Sequence, residues 1–310
     1  MGLFAGRRVA VLGLAKSGRT AAEALTSGGA DVVAWDDNAK VREALAGKLR
    51  IENLAEADWS GIAALVLSPG IPHSFPQPHP AVLGARAAGV EIVGDLELLY
   101  RAQPAACYLG ITGTNGKSTT TALIGHILHQ AGRTAEVGGN LGTPALALAP
   151  LGRDSAYVLE ASSYQLELLS TLTFDIAVLL NITPDHLDRH GGMEGYIGAK
   201  RHIFDRQGSA ASAVIGIDDS ICRAIAEEVG RAGRQRVVPI SVREPVSGGV
   251  YVEVGVLFDA LEGAPQRVLD LADAERLPGS HNWQNAAAGY AVARRYGIAP
   301  DVAAAAIRSF

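Results

Sequence analysis

One short stretch, beginning near residue 107, constrains the fold of this chain more than any other. Residues 107–111 form an apolar run with the length of a buried strand, and residues 112–116 form a loop that contains two glycines. An amphipathic helix is predicted to start at Ser118 or Thr119 and to reach about Gln130. A strand, a glycine loop and a helix opening with Lys-Ser suit a polyphosphate, because loop amides and the helix N-terminus both attract anions.

The loop itself predicts a nucleotide site. Its backbone N–H groups would face the phosphates, Lys117 would bind the outer phosphates and the Ser118 hydroxyl would reach Mg²⁺. The spacing departs from the strict Gly-x-x-x-x-Gly-Lys-Ser/Thr pattern, because Ile111 stands where the first glycine belongs. A glycine turn beside a helical lysine is the alternative, but the flanking strand and helix favour a nucleotide. The predicted nucleotide ligands are Gly113, Thr114, Asn115, Gly116, Lys117, Ser118 and Thr119.

Size and composition narrow the class of protein. The 310 residues are 48% hydrophobic and 19% charged, which predicts a globular chain long enough for two domains. A net charge of −5 argues against nucleic-acid binding as the main function. The two cysteines, Cys107 and Cys222, do not suggest a disulfide framework. The sequence has no signal core and no run of ~18 apolar residues, so we expect a cytoplasmic protein that does not enter a membrane.

The first hundred residues predict a Rossmann-like sheet. Four predicted strands, at 8–12, 31–36, 62–67 and 90–93, alternate with helices at about 19–27, 39–46 and 81–88. Such alternation gives a parallel sheet with right-handed crossovers. The turn after the first strand, Gly-x-x-x-x-Gly at 13–18, lacks the middle glycine of the dinucleotide fingerprint, which weakens the case for NAD.

Polar residues follow these strands at one edge of the predicted sheet, where open α/β sheets bind ligands. Asp36 is placed like a ribose-binding acid, with a surface-turn acid as the alternative. Ser68-Pro69-Gly70 follows the third strand, and a rigid proline turn is the alternative there. Gln103-Pro104 marks a break before the glycine loop. We therefore predict domains at 1–95, Rossmann-like, and at 96–310, a P-loop-type ATP-binding α/β domain.

Two further strand ends of the second domain carry polar residues. Glu160 ends an apolar strand, where an acid can hold Mg²⁺ directly or through water. A capping or ion-paired glutamate is the alternative. A second strand, at 175–183, leads to the cluster Asp185, His186, Asp188 and His190. A zinc site is the alternative, but no cysteine pair or His-x-x-Glu-His pattern accompanies these residues. We favour a role with magnesium and a substrate carboxylate.

The remaining sequence predicts more of the same α/β fold. Helices are predicted near 143–144, at 194–206 and 221–229, from 279–285 onward and at 302–307, and strands at 213–217 and 237–240. Residues 250–257 and 267–271 suggest a small antiparallel addition. Composition alone makes Lys200 a solvated lysine, and makes Asn282 and Asn285 capping residues of the helix that they begin.

The loop Thr-Gly-Thr-Asn-Gly-Lys-Ser-Thr at 112–119 resembles the phosphate loop of the Mur ligase family, ATP-dependent amide-bond-forming enzymes of peptidoglycan precursor synthesis. Folylpolyglutamate synthases carry a similar loop. The Ser-Pro-Gly-Ile turn at 68–71 and the Gly-Asp-x-Glu-Leu segment at 94–98 resemble the family member that adds D-glutamate to UDP-N-acetylmuramoyl-L-alanine. That resemblance implies ATP and Mg²⁺ as cofactors, these two molecules as substrates, an acyl-phosphate intermediate and a monomer.

The resemblance also implies roles for individual residues. Substrate contacts fall on Ser17, Asp36, Ser68, Gly70, Asn140 and His186, and further ATP contacts on Asn282 and Asn285. Catalytic roles fall on Lys117, Glu160, His186 and Lys200, and Mg²⁺ ligation on Ser118, Glu160, His186 and Lys200. Lys200 stands where the family carries a lysine carbamylated by CO₂. Asp37 and Asn38 depart from the Thr-Arg of better-known members, which puts UDP contacts there in question.

Family members carry a third domain that binds the incoming amino acid. The sequence ends near the boundary that precedes it, so the resemblance implies a chain that ligates poorly alone and whose amino-acid specificity stays open. Alternative functions are another Mur-type ligase, a folylpolyglutamate synthase, a P-loop NTPase acting as a switch or motor, and a pure binding module. The compact first domain argues against the folate enzyme and against later Mur ligases.

Overall fold

The computed structural model describes residues 2–310, and its strands form two separate sheets. The first sheet has five parallel strands in the order β3-β2-β1-β4-β5. Its strands are β1 (Arg8–Leu12), β2 (Asp31–Trp35), β3 (Arg50–Ile51), β4 (Ile62–Leu67) and β5 (Glu91–Val93). The helices of this part are α1 (Lys16–Ser27), α2 (Ala39–Leu45), α3 (Pro80–Ala87) and α4 (Asp95–Ala102).

Helices cover both faces of the first sheet, because successive side chains of a strand point to opposite faces. In β1, Val9 and Val11 pack into the core with α1, whereas Ala10 and Leu12 pack into the core with α3. All four of these side chains are buried. After the exposed Arg8, β1 is therefore apolar on both faces, which is why it could be recognised as a buried parallel strand.

The second sheet has nine strands in the order β14-β13-β12-β11-β10-β9-β6-β8-β7. Its strands are β6 (Cys107–Thr112), β7 (Thr134–Gly139), β8 (Ser155–Glu160), β9 (Ile176–Leu179), β10 (Ser212–Gly216), β11 (Arg236–Ser241), β12 (Val250–Glu253), β13 (Val256–Asp259) and β14 (Gln266–Asp270). The strands from β7 to β12 are parallel, and β13 and β14 extend the sheet antiparallel.

Six helices belong to this second part: α5 (Lys117–Gln130), α6 (Ser163–Leu166), α7 (Met193–Arg201), α8 (Ser220–Ala232), α9 (His281–Arg295) and α10 (Pro300–Ser309). Ile111 and Val178 face the core that contains α5, α9 and α10. Tyr108 and Leu179 face the opposite core, which contains α8 and part of α4. The carboxyl ends of β6, β8 and β9 thus meet at one edge, bringing together the glycine loop, Glu160 and the segment 181–190.

The α/β class, the parallel sheets and most of the elements are confirmed, and several local predictions are wrong. Strands β3 and β7 and helix α6 were not predicted. The helix predicted near 143–144 is a single 3-10 turn, Ala145–Ala147. The helix predicted for 194–206 ends at Arg201 and continues as a 3-10 turn. The antiparallel addition suggested by residues 250–257 and 267–271 is confirmed. It consists of the hairpin of β12 and β13, with Val254 in its turn at a left-handed φ of 49°, and of β14 paired antiparallel with β13.

Side chains join the ligand edges of the two sheets. Lys16 Nζ donates to Gly142 O at 2.5 Å, and Arg189 Nη1 donates to Gly70 O at 3.0 Å. Near the break between the sheets, the Glu97 carboxylate accepts from the backbone N–H groups of residues 170–172. The two edges therefore face a common region. Within residues 2–310, no helix has the length and apolarity needed to cross a bilayer.

Candidate active site

One position of the glycine loop, residue 116, has a backbone conformation that favours glycine. Gly116 precedes α5 with a left-handed φ of 86°. A Cβ placed there would lie 2.4 Å from Asn285 Oδ1, closer than van der Waals contact allows. The glycine therefore lets the start of α5 approach Asn285 on α9, and the free N–H groups at the start of α5 remain available for an anion.

Lys117 folds back over the loop that precedes it. Its Nζ donates to Gly113 O at 3.0 Å and to Thr114 O at 2.8 Å. Burial lowers the pKa of this ammonium, and the charges of Glu160 and Asp185 oppose that shift. Glu160, buried at the tip of β8, accepts from Asn140 Nδ2 at 2.8 Å. The structure therefore brings Lys117, Glu160 and Asn140 together, while Ser118 is exposed on the first turn of α5.

Lys200 reaches the same loop from α7. Its side chain is buried, Nζ donates to Gly113 O at 2.8 Å, and the ammonium lies 4.6 Å from the centre of the Tyr196 ring. The Tyr196 hydroxyl in turn shares a hydrogen bond of 3.2 Å with Thr114 Oγ1. Burial and then the charge of Lys117 lower the pKa of Lys200 to about 7. A substantial fraction of this amine is therefore neutral and nucleophilic at physiological pH.

Lys117 and Lys200 line one small cavity of about 110 Å³. Its other walls are Asn140, Ser162, Ser163, Tyr164, Asp185, His186 and Tyr196. His186 has a left-handed φ of 51°, and its Nε2 lies 3.4 Å from Asp185 Oδ2. Two amines in a cavity of this size suit a small anion such as a carboxylate. Four residues predicted from the sequence, Lys117, Asn140, His186 and Lys200, thus share this cavity.

A second, larger cavity of about 690 Å³ opens beside the loop, within the size range of nucleotide and cofactor sites. Asn115, Gly116, Thr119, Asn282 and Asn285 line it. The two asparagines are buried and bonded to each other, Asn285 Nδ2 donating to Asn282 Oδ1 at 3.0 Å. Thr120 Oγ1 donates to Asn285 Oδ1 at 3.1 Å, so the pair also joins α9 to α5.

The predicted residues of the first sheet form a compact turn at its ligand edge. Ser68 is buried, and its Oγ donates to Gly13 O at 2.7 Å. The Asp36 carboxylate accepts from Leu14 N at 2.6 Å and from Asn38 N at 2.9 Å. These contacts use the side chains of Ser68 and Asp36 to shape the turn. Ser17, in the first turn of α1, is half-buried, and Gly70 offers its carbonyl to Arg189.

A divalent cation fits this site only if protein side chains and phosphate oxygens coordinate it together. Across residues 2–310, no three His, Cys, Asp or Glu side chains converge on a point, so the zinc interpretation gains no support. His190, grouped with His186 by sequence, is buried and bonded to Glu167 and Ser163 instead. Mg²⁺ commonly takes one or two protein ligands together with phosphates and water. The hydroxyl of Ser118 and the carboxylate of Glu160 are donors of the kind that it prefers.

Several residues at the site were missed by the sequence analysis. Asn181 accepts from Asn115 N at 2.9 Å and donates to Gln284 Oε1 at 2.9 Å, which ties the loop to α9. Tyr164 and Tyr196 form walls of the small cavity. Asn181 lies just beyond β9, so its place at a strand end beside the loop strand was a usable signal. No sequence signal indicated the two tyrosines.

Comparisons with known proteins find related sequences along nearly the whole chain. Residues 111–293 match the model of the Mur ligase middle domain. UDP-N-acetylmuramoylalanine–D-glutamate ligase of Caulobacter sp. (strain K31) is 51% identical over 314 residues, covering 99% of this chain and 67% of the relative. The enzyme of the same name from Rhodospirillum rubrum is 49% identical over 313 residues, covering 99% and 66%. The chain thus spans about two thirds of the length of these relatives.

Solved structures with the same fold are more distant in sequence. UDP-N-acetylmuramate:L-alanyl-gamma-D-glutamyl-meso-diaminopimelate ligase from Neisseria meningitides aligns with a TM-score of 0.64 at 17% identity, covering 98% of both chains. UDP-N-acetylmuramate-alanine ligase from Thermotoga maritima aligns with a TM-score of 0.56 at 17% identity, covering 98% of this chain and 68% of that one. At such identities the likeness concerns the fold alone.

The parallel first sheet, the mostly parallel second sheet and the loop between two cavities define an α/β protein of the phosphate-loop class. Within that class, the chain belongs to the Mur ligase family, whose model matches more than half of its residues. The family resemblance of the loop at 112–119 is thereby confirmed, and the relatives that match it along nearly its whole length are named as ligases.

Proposed function

We propose that this chain carries the UDP-substrate and ATP sites of a ligase that adds D-glutamate to UDP-N-acetylmuramoyl-L-alanine. The observation that carries the proposal is the meeting of Lys117 and Lys200 at Gly113 O, beside a cavity suited to an anion. The names of the relatives support the choice of substrates. A motor or switch NTPase has no need for an enclosed anion cavity next to its phosphate loop.

In this proposal each ligand has its own part of the molecule. The nucleoside of ATP occupies the large cavity beside Asn282 and Asn285, and its phosphates lie over the loop at 113–119. The carboxylate of the UDP-linked substrate occupies the small cavity beside His186 and Asn140. Its UDP part binds the first sheet at the turn formed around Ser17, Asp36, Ser68 and Gly70. The contacts between the two sheet edges support a substrate that spans both.

The first chemical step is attack of a substrate carboxylate oxygen on the γ-phosphorus of ATP. A new P–O bond forms, the bond to ADP breaks, and an acyl phosphate results. Two anions approach each other here, so the main task is to stabilise negative charge spread over the phosphoryl oxygens. Lys117 and the N–H groups at the start of α5 perform it. When bound near Ser118, Glu160 and His186, Mg²⁺ supplies further positive charge.

Reaction with CO₂ would give Lys200 a different electrostatic role and leave Lys117 as the amine that faces the substrate carboxylate. Its neutral amine would form an N–C bond to CO₂ and lose one proton, leaving an anionic carbamate that can ligate a cation. The lowered pKa of Lys200 supports this modification, because only the neutral amine reacts. In the second step of the ligation, the amine of D-glutamate attacks the acyl carbonyl and forms the C–N bond. The nitrogen then loses one proton to water, and phosphate leaves with the electron pair of the broken C–O bond.

The proposal is tested by titration calorimetry with UDP-N-acetylmuramoyl-L-alanine, ATP and dihydrofolate as separate ligands. We expect binding of the first two and none of the third. Lys117→Ala should weaken ATP binding at least tenfold, whereas Lys40→Ala, on the exposed start of α2, should not change it. Binding of dihydrofolate, or ATP hydrolysis that proceeds equally without any carboxylate substrate, would refute the assignment.

A further inference from the structure

Beneath the small cavity, three side chains form a hydrogen-bonded chain that the proposed reaction does not use. Ser163 Oγ lies 2.9 Å from His190 Nε2, and His190 Nδ1 lies 3.1 Å from Glu167 Oε1. The His190 side chain is completely buried, with its ring stacked on Tyr164 at a centroid distance of 5.1 Å. Ser163 lines the cavity itself. The chain therefore leads from the cavity wall into the protein.

Glu167, at the far end of the chain, is in an unusual position for a carboxylate. Its Oε2 atom is buried and finds no hydrogen-bond partner among residues 2–310, although His73 Nε2 lies 3.4 Å away. Burial raises the pKa of Glu167 to about 7, against the opposing charges of His202 and Arg189. Glu167 can therefore gain or lose a proton near neutral pH.

His190 stays neutral over the same pH range. Burial, and then the positive charges of Lys200, Arg189, His186 and His73, lower its pKa to about 4. Burial and the charges of Arg86 and Arg189 also lower the pKa of His73. Glu167 Oε1 is the carboxylate oxygen that lies within hydrogen-bonding distance of the His190 ring. Glu167 is the member of the chain whose protonation changes near pH 7.

The hydrogen bonds of the chain can run in two directions, because a neutral imidazole has one donor and one acceptor nitrogen. With Glu167 ionised, His190 Nδ1 donates to Glu167 and Nε2 accepts the Ser163 proton. With Glu167 protonated, Glu167 donates to Nδ1, and Nε2 donates to Ser163 Oγ. Only in the second arrangement is the Ser163 hydroxyl free to donate into the cavity.

We propose that the chain Glu167–His190–Ser163 is a positioning device that takes up one proton when a carboxylate enters the small cavity and turns the Ser163 hydroxyl toward it. The protons balance in three transfers: His190 Nδ1–H passes to Glu167 Oε1, the Ser163 proton passes to Nε2, and Ser163 regains one from solvent through the cavity. The anion favours this arrangement because it gains a hydrogen-bond donor. This inference rests on the proposed function, which puts a substrate carboxylate in the cavity.

The first experiment examines the hydrogen bonds of Glu167, His190 and Ser163 in the protein without any ligand. Histidine ¹⁵N chemical shifts distinguish the two neutral tautomers, and loss of a signal in His190→Gln assigns the resonance. We expect the Nε2–H tautomer at pH 6, the Nδ1–H tautomer at pH 8.5, and a midpoint near 7 that disappears in Glu167→Gln. Glutamine keeps both hydrogen-bonding atoms but cannot titrate. A His190 tautomer that stays the same from pH 6 to 8.5 would overturn the proposal.

The second experiment measures proton uptake on binding, by calorimetry in buffers of different ionisation enthalpy. Binding of UDP-N-acetylmuramoyl-L-alanine should be accompanied by uptake of about 0.8 proton at pH 7.5, and the affinity should fall about 25-fold between pH 6.5 and 8.5. UDP-N-acetylglucosamine, which lacks the carboxylate, should cause no uptake. Glu167→Gln should remove both the uptake and the pH dependence while affinity at pH 6.5 is kept, and Ser163→Ala should remove the uptake and weaken binding.

These measurements separate the two proposals. If the wild-type protein fails to bind UDP-N-acetylmuramoyl-L-alanine, the proposed function is wrong. The tautomer measurement still decides whether the hydrogen bonds of Glu167, His190 and Ser163 reverse direction. If the substrate binds and Glu167→Gln takes up as many protons as the wild type, the positioning role is wrong and the proposed function stands. Unchanged ATP affinity in each variant serves as the control for folding.

Discussion

Lys200 illustrates how surroundings change the chemistry of one side chain. By composition it is a solvated lysine, yet it is buried, with its amine against Gly113 O and near Lys117. Its pKa falls from 10.5 to about 7 because burial, first, and Lys117, second, disfavour the charged form. An unfolded chain binds more protons at this group between these two values, so its contribution to folding stability improves as the pH rises through that window.

We therefore predict that Lys200→Met stabilises the fold while it removes the reactive amine. At pH 7 the free energy of unfolding should rise by about 1–3 kcal/mol, because a buried ammonium is replaced by an apolar group of similar length. Gly113 O keeps its hydrogen bond from Lys117. The gain should shrink toward pH 10. Denaturant unfolding in CO₂-free buffer measures it, and Lys40→Met, at an exposed position, is the control.

Other residues at this scale could be recognised only in part. Gly116 and Lys117 lie where the loop meets the start of α5, close to the predicted boundary, because such a junction depends on neighbours in sequence. Their roles as nucleotide ligands stay predictions. His190 was grouped with His186, four residues away, and the structure turns it instead toward Ser163 and Glu167. Those partners lie 27 and 23 residues away in the chain, respectively. Local spacing carries no information about such contacts, so the sequence could not predict the chain of hydrogen bonds.

At the scale of elements, the start of α5 depends on Gly116. We predict that Gly116→Ala weakens ATP binding at least tenfold and lowers stability, because the added methyl meets Asn285 Oδ1 and the left-handed φ of 86° becomes strained. Gly132→Ala is the matched control, since Gly132 follows the same helix with a φ of 69° and open space around it. It should cost about 1 kcal/mol of stability and leave ATP affinity unchanged. Equal ATP affinity in both variants would contradict the prediction.

The elements that sequence patterns failed to predict share a physical cause. Strand β7 contains Gly138, Gly139 and Glu136, which have low strand propensity, and pairing with β8 stabilises it instead. Helix α6 has only four residues and depends on a capping box between Ser162 and Gln165. The strongly apolar strands β1, β4, β6 and β9 were all predicted, because strands buried on both faces consist mostly of consecutive apolar residues.

At the scale of the whole molecule, Glu97 joins α4 to the segment at 170–172. Its fully buried carboxylate accepts from the N–H groups of Ser170, Thr171 and Leu172 at 3.0–3.1 Å and from Arg101 Nε at 2.9 Å. Burial alone would raise the pKa of Glu97, but hydrogen bonds from Thr171 and the backbone outweigh it and lower the pKa to about 2. The stabilisation is therefore complete above the ordinary value of 4.5 and is lost as the pH falls toward 2.

Glu97→Gln should accordingly lower the free energy of unfolding at pH 7 by about 2–4 kcal/mol, because an amide cannot accept all of these hydrogen bonds. The difference from the wild type should diminish at pH 3. Denaturant unfolding across this pH range is the measurement. Glu91→Gln removes another partner of Arg101 at a side chain that is 42% exposed, and should change stability by less than about 1 kcal/mol. A loss in Glu97→Gln as small as this would refute the prediction.

Arg189 connects the two sheets at their ligand edges. Its guanidinium donates to Gly70 O at 3.0 Å and lies 4.7 Å from the centre of the Tyr164 ring. We predict that Arg189→Ala weakens binding of the UDP-linked substrate about tenfold, since this substrate is proposed to span both edges and a charge-assisted contact of ~1.5 kcal/mol is lost. ATP affinity should not change. Calorimetry compares the Arg189→Ala variant with a control variant, Arg201→Ala. The Arg201 guanidinium pairs with Glu228 on the surface.

The two cavities beside the glycine loop have no lining residue in common among those that the structure describes. In the proposed arrangement the adenosine and the acceptor carboxylate would therefore touch different walls and meet only through the γ-phosphate. Adenosine without phosphates should then occupy its own compartment and leave the affinity for the UDP-linked acceptor unchanged.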